Sequence, residues 1–115
     1  SSMRPADESN ALIWDALQFA RNTQIAIADA DLNAFMADGP TTWATERQVS
    51  LLGEALRKLR EVDPTLAAQI PDLHRIVGMR NVLVHGYVTV DHEIVWIAVT
   101  TLVPKLVTHL ESLLP

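Results

Sequence analysis

The chain has 115 residues, which is enough for one domain and leaves no room for a second. Hydrophobic residues make up 49% and charged residues 20%, the balance of an ordinary globular protein, and the formal net charge is −5. There is no cysteine, which excludes a disulfide scaffold and a thiolate metal site. We interpret residues 3–115 as a single domain and Ser1 and Ser2, which precede Met3, as a cloning remnant.

The first predicted element is a helix from about Asn10 to Phe35. Its apolar residues recur at intervals of three, four and seven, which places them on one helical stripe: Ile13, Leu17, Ala20 and Ile27. Asp7 or Ser9 could cap this helix. The residues before it are polar and acidic, so we expect no secretory signal and a cytoplasmic protein.

A second helix is predicted after the break at Asp38, Gly39 and Pro40, with Thr41 or Thr42 as its cap. Its inner face is expected to carry Ala44, Leu52, Ala55, Leu56 and Leu59. The basic residues on the same helix would then point outward: Arg57, Lys58 and Arg60.

Basic residues are concentrated in the middle of the chain. Six basic and four acidic residues lie between Arg47 and Arg80, a local net charge of +2 that leaves −7 for the rest. This stretch could bind a polyanion or could be a solvated helix face, and the charge pattern by itself favours the solvated face.

A short helical turn and a third long helix are predicted next. Asp63 followed by Pro64 is typical of an N-cap before the first helical residue. The third helix would begin near Asp72 and stop at Gly86, with an apolar face made of Leu73, Ile76, Val77, Met79 and Val84. Residues 88–90 have strand propensity but are too few to found a sheet.

Asp91 could cap a last helix, whose apolar positions are Ile94, Val95, Val99, Leu102, Leu106 and Leu110. Pro104 should kink or divide this helix. The most apolar stretch, Ile94–Val103, has about 10 residues where a membrane span needs roughly 20, so we expect a soluble protein. The elements together predict an all-α fold, an antiparallel four-helix bundle with a short extra helix.

The residues with the clearest chemical potential are Arg80, His85 and Tyr87, which form an R-x4-H-x-Y pattern at the end of the third helix. An arginine fork matches phosphate oxygens, and a histidine can act as acid or base near neutral pH. On an ideal helix, however, Arg80 and His85 point about 140° apart. They converge only if the helix distorts before Gly86 or if a second subunit supplies one of them. Surface ion pairing, helix capping and packing are alternative roles.

The segment Ile76–Tyr87 resembles the signature of HepT-like proteins in the HEPN superfamily. Leu52–Ala55 is similar to the Gly-Glu-Ala of that family's second helix, and Asp91–Trp96 is similar to the opening of its last helix. The chain departs from the family where Asp72 and Leu73 stand in place of a common Pro-Trp pair.

The resemblance implies a HEPN-type helical fold and a metal-independent endoribonuclease toxin that acts on RNA, with tRNA as the implied substrate. It also implies a homodimer in which both Arg-His pairs face one cleft. Arg80 would stabilise the phosphate and the transition state, and His85 would act as base or acid. Asn81, next to the arginine, is a candidate for orienting the site.

The implied partner is an MntA-like nucleotidyltransferase antitoxin that silences the toxin by transferring AMP from ATP to Tyr87. We expect no cofactor on this chain, because four glycines are too few for a phosphate-binding loop. We also expect no metal site, since His74, His92 and His109 lack a zinc spacing. Glu54 could pair with an arginine near the cleft or face solvent. The alternative function is a non-catalytic subunit that binds a nucleotidyltransferase.

Overall fold

The computed structural model describes residues 4–86 and 90–115. Across these ranges the chain is helical, with the elements α1 Pro5–Ile27, α2 Leu32–Met36, α3 Pro40–Val62, α4 Pro64–Ala67, α5 Leu73–His85 and α6 His92–Leu113. Four of the helices are long and two are short. The predicted all-α class and the four main helices are therefore confirmed, and a second short helix, α2, is added to the predicted one.

The helix predicted over residues 10–35 is divided in two. α1 ends at Ile27, and α2 begins separately after Asp31. The Asp31 carboxylate accepts a hydrogen bond of 2.8 Å from the backbone N–H of Ala34, which caps a new helix. Because α2 can turn independently of α1, it carries Phe35 into the core, where this side chain is completely buried.

The predicted N-caps of the first two long helices, Asp7 or Ser9 and Thr41 or Thr42, are wrong because prolines begin these helices instead. α1 starts at Pro5, so Ser9 lies inside the helix, and its buried hydroxyl donates to Asp63 over 2.9 Å. α3 starts at Pro40 after Gly39. The hydroxyl of Thr42 is also buried and donates to the carbonyl of Phe35, which joins α3 to α2.

The predicted starts of α4, α5 and α6 and the predicted end of α5 are confirmed. Asp63 caps α4 by accepting from the N–H of Leu66, and Asp91 caps α6 by accepting from the backbone N–H groups of Glu93 and Ile94. α5 begins directly after Asp72 and ends directly before Gly86. These boundaries depend on contacts within three residues, which local sequence specifies.

α3 is the central element of the packing. α1 runs antiparallel to it, as shown by the Asn22–Gln48 hydrogen bond near one end and the Ser9–Asp63 bond near the other. α5 runs antiparallel along another side of α3, where Arg60 donates to His74 over 2.9 Å. The largest side chains of the resulting core include Ile13, Leu17, Leu52, Leu56, Leu59, Leu106 and Leu110.

α6 is one continuous helix of 22 residues that contains Pro104, so of the two predicted effects of this proline, a kink or a division, the division does not occur. The carbonyl that the proline leaves without a partner belongs to Thr100, which is exposed to solvent. By length and mean hydropathy α6 could cross a membrane. Its buried residues instead line the bundle core, as in the core helix of a globular protein: Val95, Ala98, Val99, Leu102, Val103, Leu106, Val107 and Leu110.

Candidate functional site

Arg80 lies against the backbone of α3 because Gly53 allows the two helices to approach closely. A Cβ atom at Gly53 would overlap Cβ of Arg80, and it would lie 2.9 Å from Cγ of Arg80 and 3.2 Å from the carbonyl oxygen of Ile76. A glycine in mid-helix costs about 1 kcal/mol relative to alanine. The close contact with α5 explains why this cost is tolerated.

The guanidinium of Arg80 is anchored at both terminal nitrogens. Nη2 lies 2.9 Å from Oε2 of Glu54, and Nη1 donates to Oδ1 of Asn81 over 3.0 Å. The Arg80 side chain is only 19% exposed. The structure therefore brings together Arg80 and Asn81, two of the predicted site residues, and adds Glu54, whose pairing with an arginine the sequence left open.

Glu54 is shared between two arginines. Arg57 donates to its Oε1 over 2.8 Å, while Arg80 contacts Oε2. The pKa of Glu54 is lowered, chiefly by the hydrogen bond from Arg57. Burial opposes this as the second-largest effect, and the positive charges of Arg57, Arg80 and Lys58 add to the lowering. Glu54 is therefore ionised at neutral pH, and it holds Arg80 by a charge-assisted contact.

His85 is the last residue of α5, and its side chain is exposed. The α-helix continues without interruption to this position, and on an ideal helix Arg80 and His85 project about 140° apart. The structure does not bring these two predicted residues together in one chain. Of the two ways in which they could converge, distortion of the helix before Gly86 is not observed. Tyr87, the predicted modification site, lies outside the described residues.

An apolar groove of about 540 Å³ separates the C-terminal half of α5 from the first turns of α6. Three of its lining residues are about half exposed: Val82 at 53%, Ile94 at 58% and Ile97 at 49%. Arg75 and Asp91 provide charges on the lining. An apolar surface of this kind, next to the motif residues, is typical of an interaction site.

A second polar cluster joins α6 to α3. Nδ1 of His92 lies 2.7 Å from Oε2 of Glu46, and Nε2 lies 3.4 Å from the carboxylate of Asp38. The same carboxylate accepts from the indole N–H of Trp43 over 2.9 Å. The sequence did not predict these contacts of His92, because Glu46 and His92 are 46 positions apart and no local pattern joins them. Among the described residues, no three His, Asp or Glu side chains are grouped suitably for a metal ion.

A comparison with protein families matches residues 15–113 to the family described as ribonuclease HepT-like. The chain belongs to the HepT-like ribonuclease family. The matched range contains every motif residue, and the resemblance drawn from Leu52–Ala55, Ile76–Tyr87 and Asp91–Trp96 is confirmed at family level.

Relatives of this HepT-like chain include two proteins of Methanocaldococcus jannaschii. One is 29% identical over 101 residues, which cover 88% of this chain and 92% of the relative. The other is 26% identical over 110 residues, which cover 96% of this chain and 90% of the relative. A protein of Caldanaerobacter subterraneus subsp. tengcongensis is 29% identical over 80 residues, 70% of each chain. All three are candidate RNases by name. No solved structure gives a significant match.

Proposed function

We propose that this HepT-like chain is a metal-independent endoribonuclease toxin whose active cleft forms between two copies. The observation that carries the proposal is the geometry of α5. Arg80 is held against α3, while His85 is exposed on a direction about 140° away along a regular helix. At this helical spacing the Arg80 and His85 side chains of one chain diverge, and a second copy placed against α5 could supply the missing group.

The apolar groove supports this homodimer. Val82 lies on α5 between the two motif residues, and Ile94 and Ile97 face the same groove from α6. Complete burial of a side chain of this size contributes about 1.5–3 kcal/mol. A second copy that covers these residues would be stabilised by their burial, and it would place its own α5 beside the first.

The chemistry proposed for the cleft is proton transfer around an RNA phosphate. One His85 accepts the proton of a ribose 2′-hydroxyl as its oxygen attacks the adjacent phosphorus, and the His85 of the second copy donates a proton to the leaving oxygen. Arg80 binds the phosphate oxygens as negative charge accumulates. Asn81 accepts from Nη1 of Arg80, which supports its proposed orienting role. Because this scheme needs no metal, cleavage should persist in chelator.

The test is incubation of the purified chain with total tRNA in chelator, after intact-mass analysis to exclude a modified Tyr87. His85→Ala should lower the cleavage rate about 10²- to 10⁴-fold, and Arg80→Ala about 10²- to 10³-fold. His74→Ala, at the other end of α5, and Arg21→Ala, whose partner is Glu111, are matched controls that should cleave normally. Loss of activity in chelator would contradict the metal-free mechanism. An inactive, unmodified wild type would favour the non-catalytic, partner-binding function.

The homodimer has a separate test by sedimentation. Ile94→Glu should give a monomer with little RNase activity, because it places a charge in the apolar groove. Ile25→Glu, at an exposed isoleucine on α1 away from this groove, should remain dimeric and active. A monomeric wild type with full activity would contradict the composite cleft.

We also propose silencing by an MntA-like nucleotidyltransferase antitoxin in the cytoplasm. The Tyr87 hydroxyl would attack the α-phosphorus of ATP, which releases pyrophosphate and leaves AMP on the tyrosine. The support is the position of Tyr87 two residues after His85, where added phosphate would repel the RNA phosphate. Tyr87→Phe should therefore remain an RNase but escape the antitoxin. Addition of AMP mass to this variant would show that another residue is modified.

A further inference from the structure

We infer that Glu54 is a positioning residue that fixes the guanidinium of Arg80 for RNA cleavage. The inference rests on the proposed function, since it assigns Glu54 a task only if Arg80 binds the reacting phosphate. Glu54 itself would not touch the RNA, because a carboxylate repels phosphate oxygens. Its effect would pass through Arg80.

Two successive residues of α3 position the side chain of Arg80. Gly53 removes the Cβ that would overlap Arg80, so the stem of the arginine lies directly on the α3 backbone. Glu54 then binds the Nη2 end of the same side chain at 2.9 Å. The position of the stem and the direction of the guanidinium are thus set by adjacent residues of one rigid helix.

The guanidinium of Arg80 keeps N–H donors beyond those that anchor it. Glu54 contacts Nη2 and Asn81 accepts from Nη1, so one N–H of each terminal nitrogen is used. Each of these nitrogens carries a second N–H. The two anchors prevent rotation of the planar group while leaving donors with which it can bind a phosphate.

Glu54 is itself held in place by Arg57. Nη2 of Arg57 binds Oε1 of Glu54 at 2.8 Å, and this ion pair within α3 fixes the carboxylate; Glu61 binds the other terminal nitrogen of Arg57, Nη1, at 3.1 Å. A carboxylate fixed in this way loses little additional freedom when it holds Arg80. Precise orientation of catalytic groups can change a rate by about 100-fold, so this contact can matter for activity even though exposed ion pairs add little to stability.

The experiment compares cleavage kinetics of wild type, Glu54→Gln and Glu61→Gln under single-turnover conditions. Glu54→Gln should lower the maximal rate by about 10- to 100-fold with little change in the RNA concentration at half-saturation. Glu61→Gln is the matched control, since it removes a carboxylate that pairs with Arg57 and does not contact Arg80. It should cleave as wild type does. Unchanged or increased activity of Glu54→Gln would overturn the inference.

A double-variant cycle separates positioning from general damage to the fold. In an Arg80→Ala background, Glu54→Gln should cause no further loss of activity, because the residue through which it acts is gone. Fully additive losses would show that Glu54 acts independently of Arg80 and would overturn the inference.

A failure of the proposed function can be distinguished from a failure of the inference by NMR. The side-chain Nε–H signal of Arg80, assigned with Arg80→Lys, should shift or broaden in Glu54→Gln and stay in place in Glu61→Gln. If wild type cleaves no RNA but this signal responds as expected, the ribonuclease proposal fails while the anchoring of Arg80 by Glu54 holds. A signal that Glu54→Gln leaves unchanged would overturn the inference whatever the activity.

Discussion

The α1–α3 contact and the α5–α6 groove are built from similar aliphatic residues but are packed in opposite ways. Leu17 on α1 and Leu56 on α3 are at most 1% exposed. Val82 on α5 and Ile94 on α6, which face each other across the groove, are more than half exposed. Both pairs of helices present apolar faces, but those of α1 and α3 are packed in the core, whereas those of α5 and α6 border an open groove.

Among the described residues, 4–86 and 90–115, the side of the molecule that carries Arg80 and His85 is therefore incompletely covered. The large apolar side chains near Arg80 and His85 are half exposed to water in a single copy. Covering them would be favourable. The packed side gives α3 the rigidity to hold Arg80, and the open side offers the surface that the proposed second copy would cover. Stability and function are therefore expected to respond to different sets of residues.

The largest expected effect is on the packed side. Leu56→Ala removes a completely buried side chain at the centre of the core and should lower the free energy of unfolding by about 2–5 kcal/mol. Urea denaturation followed by far-UV circular dichroism measures this loss. A loss below about 1 kcal/mol would show that the α1–α3 contact is loosely packed and does not differ from the α5–α6 groove as described.

A pair of glycines provides the next comparison. Gly53→Ala should destabilise the fold by about 1–3 kcal/mol, because its Cβ has to displace Arg80. Gly78→Ala, on the exposed side of α5, meets no atom of the described chain within 4 Å and should stabilise the monomer by up to about 1 kcal/mol. Urea denaturation of both variants tests the difference, and a stabilising Gly53→Ala would contradict the close approach of α5 to α3.

A smaller effect is expected on the acid side of the stability curve. The pKa of Glu54 is lowered below its ordinary value of 4.5, so its ion pairs stabilise the fold above that pH and are lost as pH falls through the lowered pKa. Glu54→Gln lacks this contribution at every pH. The stability advantage of wild type over the variant should therefore shrink between pH 6 and pH 3, measured by thermal unfolding. An advantage that grows as pH falls would contradict the lowered pKa.

The smallest expected effect is on the open side. Ile94→Ala deletes a side chain that is 58% exposed and should change the free energy of unfolding of the monomer by less than about 0.5 kcal/mol. The measurement uses a protein concentration at which sedimentation shows monomers only. A loss as large as that of Leu56→Ala would show that the groove is closed in solution within one chain.

Much of the helical structure could be predicted from short-range patterns. The caps at Asp63 and Asp91 and the stop at Gly86 depend on neighbours within a few residues, and they are confirmed. The break after Ile27 was missed although Asp31 is a typical N-cap, because the apolar spacing continues across it. The role of Thr42 could not be predicted, since its hydroxyl bonds to Phe35 in another helix.

The sequence by itself determined the helical class, the family and the R-x4-H-x-Y motif, because periodicity and motif spacing are local properties of the chain. Only the tertiary structure decided that Glu54 holds Arg80, that Glu46 contacts His92 and that α5 and α6 leave an apolar groove between them. Glu54 and Arg80 are 26 positions apart in the sequence, and Glu46 and His92 are 46 positions apart. These contacts depend on how α3 packs against its neighbours, which no pattern within one helix specifies.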